Sequence, residues 1–98
     1  MYVVRWAFRA REERRAEFLE SYGPRGAWAQ LFERGEGFLG TELAPEGGTG
    51  RWITTDRWQS RQAFEAFRSR FASEYHALDA RTADLTTEEL RLDEFESP

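Results

Sequence analysis

The chain has 98 residues, 14 cationic and 18 anionic side chains and a net charge of −4, with one His, one Met and no Cys. Every cation is Arg, which closes the lysine Schiff-base route, and the lack of Cys removes thiol nucleophiles, disulfides, iron–sulfur clusters and thiolate zinc sites. A single His leaves no two-imidazole metal site for one chain to build, so what survives is acid–base chemistry by that His and carboxylates, or binding without chemistry.

Tyr2 to Arg9 alternate, with Tyr2, Val4, Trp6 and Phe8 on one face and Val3, Arg5, Ala7 and Arg9 on the other. Period two with β-branched and aromatic residues predicts a strand. From Glu12 the period becomes helical, with Ala16, Leu19 and Tyr22 as its apolar stripe, until Gly23-Pro24 breaks it. Pro24 can open a second helix carrying Trp28, Leu31 and Phe32, which Gly35 and Gly37 stop. Phe38–Ala44 and Arg51–Trp58 read as strands joined by the turn-rich Pro45–Gly50. Ser60 is a candidate N-cap for a helix with Ala63, Phe64, Phe67 and Phe71 on one stripe. It continues, with a kink, through Tyr75, Leu78 and Thr82. Glu89–Phe95 is a final strand, although Thr86 with Glu89 also fits a capping box.

The order β-α-β-β-α-β predicts one domain over residues 1–98: an α+β, ferredoxin-like fold with a four-stranded antiparallel sheet and helices on one face. The second face then presents Val3, Ala7, Leu39, Leu43 and Ile53, an apolar patch that predicts a homodimer through the open sheet. The alternating start with Arg5 is unlike a signal peptide, and no apolar run reaches the ~20 residues of a membrane span, so a cytoplasmic protein is expected. The negative charge argues against nucleic acid and anionic membranes as partners. Arg9, Arg11, Arg14 and Arg15 are interleaved with Glu12, Glu13 and Glu17, which reads as a solvated helix face, and Arg51–Trp58 does not fit the RNA-recognition strand motif. Gly35-Glu36-Gly37-Phe38-Leu39-Gly40 spells G-x-G-x-x-G, but it follows a helix and opens a strand, the reverse of the dinucleotide context.

His76 is the one side chain that ordinarily titrates near neutrality. Asp56 shares strand parity with Trp52, Thr54 and Trp58; if that face is buried, the carboxyl sits among rings and must be bonded or shifted in pKa, and otherwise it pairs with an Arg in solvent. Trp6, Phe8, Trp28, Phe32, Phe64, Phe67, Phe71 and Tyr75 are core candidates, and rings beneath a broken helix can also wall a slot for a flat ligand.

The opening strand, the Glu/Arg helix ending in Phe18, Gly37-Phe38-Leu39-Gly40, Trp58 followed by Gln59-Ser60-Arg61-Gln62-Ala63-Phe64, and Glu74-Tyr75-His76 together resemble the antibiotic biosynthesis monooxygenase-like family of dimeric α/β barrels. The resemblance implies a homodimer. It also implies either oxygenation of an electron-rich phenol, hydroquinone or anthrone without cofactor or metal, or haem degradation. The haem-degrading branch has an Asn on the first strand, a Trp on the long helix and a His beyond it; Trp6 and, roughly, Phe67 stand at the first two positions and His76 fits the third. On the cofactor-free reading His76 is the base and Asp56 a supporting or alternative one. Trp6, Trp28, Phe32 and Phe67 are then walls, and Tyr22 or Tyr75 bonds the substrate oxygen. The other readings are a non-catalytic module for a flat hydrophobic metabolite or haem, and a dimeric domain without ligand. Whether a cavity above roughly 300 Å³ touches Trp6, Asp56 and His76 separates them.

Overall fold

The computed structural model describes residues 1–98. Four strands, β1 (Tyr2–Ala10), β2 (Phe38–Glu46), β3 (Arg51–Trp58) and β4 (Thr86–Glu96), form one antiparallel sheet in the order β2-β3-β1-β4. Helices α1 (Arg15–Tyr22) and α2 (Ala27–Phe32) connect β1 to β2, and α3 (Arg61–Arg70) and α4 (Ala72–Thr82) connect β3 to β4. This is the ferredoxin-like α+β fold, with each crossover helix broken in two.

The breaks and caps have local causes. Gly23 turns extended and ends α1. Ser60 caps α3, its Oγ accepting from the Ala63 N–H at 3.0 Å. At Phe71 the backbone leaves helical geometry between α3 and α4. The glycines before β2 serve close approach, not phosphate: a Cβ at Gly35 would lie 2.8 Å from Phe67 Cδ1, and Gly37 takes φ +87° against Ala63.

The helices cover the face carrying Tyr2, Val4 and Phe8. Phe18, Tyr22, Trp28, Phe32, Phe67 and Trp58 interlock there as a continuous aromatic core. Trp58, Phe18 and Phe67 are fully buried. In α1 the buried positions are Phe18 and Tyr22, one helical turn apart on a common face, rather than Ala16, which lies about 200° of rotation from Phe18 and is exposed.

Two expectations change. β4 starts at Thr86, which is extended (φ −126°, ψ 150°), so no capping box forms with Glu89. Leu43 does not join the open face. A register shift between Phe38 and Gly40 leaves Leu39 as an extra residue and reverses the parity of β2, so Leu43 pairs with Thr54 and packs on the core. Such a bulge moves every later side chain to the other face.

The open face is less bare than the sequence suggests. Val3 and Ala7 are already buried within the chain, Val3 between Arg57 and Phe95 and Ala7 between Ile53 and Leu90. Around them run the cross-strand ion pairs Arg5–Asp93, Arg51–Glu88 and Arg57–Glu42, each at 2.6 Å. No helix is long and apolar enough to cross a membrane.

Candidate active site

Between sheet and helices lies a cavity of about 290 Å³. Its floor is the inward row of β1 (Val4, Trp6, Phe8), with Thr54 and Asp56 from β3 and Thr41 from β2. Tyr22, Trp28, Phe32, Phe64 and Tyr75 roof it, and the charged groups Arg68, Asp79, Glu89 and Arg91 complete its lining. Tyr75 meets Trp28 edge to face at 5.0 Å, and Trp6 stacks beside Phe8 at 6.2 Å.

Asp56 is the chemically distinctive group. The alternation of β3 turns it inward beside Thr54, its neighbour across β1 is Val4, and it is 8% exposed. Thr41 Oγ1 donates to its Oδ1, a contact that exists because the Leu39 bulge turns Thr41 inward. Burial among apolar and aromatic groups raises the carboxyl from 3.8 to about 6, against the opposing pull of the Thr41 hydrogen bond. A carboxylate that titrates near neutral pH, with Oδ2 unclaimed, is a competent proton acceptor. Burial also raises the phenols of Tyr22 and Tyr75, which stay neutral hydrogen-bond donors. At the far end burial raises the carboxyl of Glu89, with the charge of Asp79 adding to the effect.

The structure gathers Trp6, Tyr22, Trp28, Phe32, Asp56 and Tyr75 around the cavity. Phe67 lies behind it, 2% exposed and packed on Phe32, Trp58 and Tyr75. His76 lies outside. The inward positions of α4 are Tyr75, Leu78, Asp79 and Thr82, and one residue past Tyr75 the helix turns about 100°, so the imidazole faces solvent and does not line the cavity. Sequence reasoning missed Thr41, which the bulge concealed, and Arg68. Arg68 was legible, since it follows Phe64 by one helical turn.

The chain matches the family model described as antibiotic biosynthesis monooxygenase over residues 1–80. No curated protein sequence matches it. Among solved structures, the haem-degrader MhuD of Mycobacterium tuberculosis with two haems bound is 27% identical, covering 99% of this chain and 95% of that one, with a TM-score of 0.69. SnoaB, a cofactor-independent oxygenase of Streptomyces nogalater, is 20% identical over 98% and 91% of the two chains, with a TM-score of 0.62. A NIPSNAP domain protein of Burkholderia xenovorans is 15% identical over 100% and 95%, with a TM-score of 0.70. The last two likenesses show the fold alone. With the family model spanning most of its length, the chain belongs to the antibiotic biosynthesis monooxygenase family.

Proposed function

We propose that this protein is a cofactor-independent monooxygenase of a small electron-rich aromatic, a phenol, hydroquinone or anthrone, bound in the cavity over Trp6. The observation that carries this reading is Asp56, a carboxyl buried against an aromatic-walled cavity and raised to about 6. Burying an acid that is ionised at neutral pH costs stability, and sites of chemistry are where such groups concentrate. The cofactor-independent activity named for SnoaB is compatible with it.

For an anthrone the steps balance as follows. Asp56 Oδ2 takes one proton from the ring methylene, leaving a delocalised anion stacked among Trp6, Trp28 and Tyr75. The anion passes an electron to dioxygen, and the radical pair joins in a C–O bond to give a peroxide. Asp56 returns its proton to the outer oxygen. The O–O bond then breaks as the second C–H proton leaves, so CH₂ and O₂ become C=O and one water. The protein supplies orientation, desolvation and the base, and a positioned base contributes about 10²–10⁴ in rate. Anthrone oxidation under labelled dioxygen tests the reading: one label in the quinone and one in water support it, while no uptake above the spontaneous rate across anthrones and hydroquinones overturns it.

A second reading, haem as the ligand, is favoured by the 27% identity to MhuD. Against it, His76 stands outside a cavity of about 290 Å³. Saturable haem binding with a Soret shift that His76→Ala removes would support this reading over the first.

We further propose that two copies pair through the open sheet face. Leu90 and Phe95 are about half exposed there beside Ile53, an apolar strip that a second sheet would cover. A second ferredoxin-like sheet with the same ion-paired margins is self-complementary.

A further inference from the structure

We propose that the cavity selects an aromatic substrate bearing a carboxylate, and that Arg68 is the residue that recognises it. The inference rests on the reading of this cavity as a site for a hydroxylated aromatic. Two guanidiniums line the cavity. Arg91 is neutralised by its ion pair with Glu94. Arg68, exposed at the mouth on α3, makes no ion pair; its guanidinium lies 4.3 Å over the ring of Tyr75 and 5.9 Å from that of Phe64. Stacking on two cavity-lining rings holds the fork at the entrance and leaves its N–H donors free. A planar fork is suited to bidentate capture of a carboxylate, where a hydroxyl or ester takes one bond at most.

The remaining charges give this capture a direction. Phe64 packs on Tyr2 and Trp58, at 5.6 and 5.7 Å, so Arg68 belongs to the Tyr2 end of β1. Glu89 pairs with Phe8, six residues along the same strand and about 20 Å away at ~3.3 Å per residue. Asp79, one helical turn beyond Tyr75, lies at that far end, where its charge acts on Glu89 and Tyr22. Neither Asp79 nor Glu89 has an arginine partner, and both act with Asp56 on Tyr75 as well, so Arg68 is the cavity cation without an ion pair and the position at which an anion is held. A ligand carboxylate therefore seats at Arg68, with its ring over Trp6 and beneath Tyr75. Val4 pairs with Asp56 near the Arg68 end, which places the ring hydroxyls within the span of the base.

Calorimetric titration of the full-length protein with gentisate, the carboxylate of a hydroquinone, and with its methyl ester tests this. The native protein is expected to bind the acid about tenfold or more tightly than the ester, with the preference shrinking as ionic strength rises. Arg68→Gln is expected to bind both equally, at the affinity of the ester, and Arg68→Lys to fall between. Equal binding of acid and ester by the native protein overturns the proposal whether or not the variants fold. Equal weakening of both ligands in Arg68→Gln overturns it too, because the guanidinium would then only pack on Tyr75. If the acid preference holds while no anthrone or hydroquinone supports oxygen uptake, the carboxylate site stands and the monooxygenase reading falls.

Discussion

At the scale of single residues Asp56 links the chemistry of the cavity to the stability of the fold. Its carboxyl holds its proton more tightly in the fold than in the unfolded chain, so the unfolded state deprotonates first as pH rises from 3.8. Stability is therefore lost between about pH 4 and 6, and the difference between 3.8 and about 6 corresponds to about 3 kcal/mol. Asp56→Asn keeps a partner for Thr41 and removes the charge. It is expected to be more stable than the native protein above pH 6, by up to about 3 kcal/mol, and to lose the pH dependence in that window. Urea unfolding at pH 4, 6 and 8 measures both. His76, in contrast, faces solvent, and His76→Ala is expected to leave hydroquinone affinity unchanged; a tenfold loss would bring the imidazole into the site.

At the scale of elements, the broken crossover helices and the Leu39 bulge set the cavity. Phe67 supports the roof from behind, and Phe67→Ala is expected to cost about 3–5 kcal/mol, measured by thermal or urea unfolding, because four rings lose their neighbour. Deleting Leu39 removes only the extra residue, so Thr41 and Leu43 keep Asp56 and Thr54 as partners and stay inward. Thr41→Val removes the hydrogen bond to Asp56 and is expected to raise that carboxyl further, read as a shift of the pH dependence of urea unfolding to higher pH. The strands β1 and β3, the Ser60 cap and the breaks at Gly23 and Phe71 were legible because alternation, capping and glycine chemistry are local. The bulge was not, since Phe38-Leu39-Gly40-Thr41 reads equally well in either parity and only pairing with β3 decides it. Asp56 was legible as a conditional: its strand parity pointed at rings, and whether those rings were covered depended on the helices. His76 was misplaced because a titration range says nothing about helical phase, whereas counting from Tyr75 and Leu78 would have turned it outward.

At the scale of the molecule, the inner face of the sheet, roofed by rings and Arg68, holds the cavity, and the proposed dimer uses its outer face. Pairing is expected to make the protein sediment as a dimer at micromolar concentration, and Leu90→Asp to shift it to monomer while leaving the helix-side cavity intact. A native monomer at that concentration would remove the dimer. The chemistry on the inner face is tested most directly by anthrone-dependent oxygen uptake across pH in the native protein and in Asp56→Asn. Uptake is expected to rise through about pH 6 in the native protein and to fall at least about 100-fold in the variant at pH 7.5; undiminished uptake in Asp56→Asn would contradict a role for Asp56 as the base.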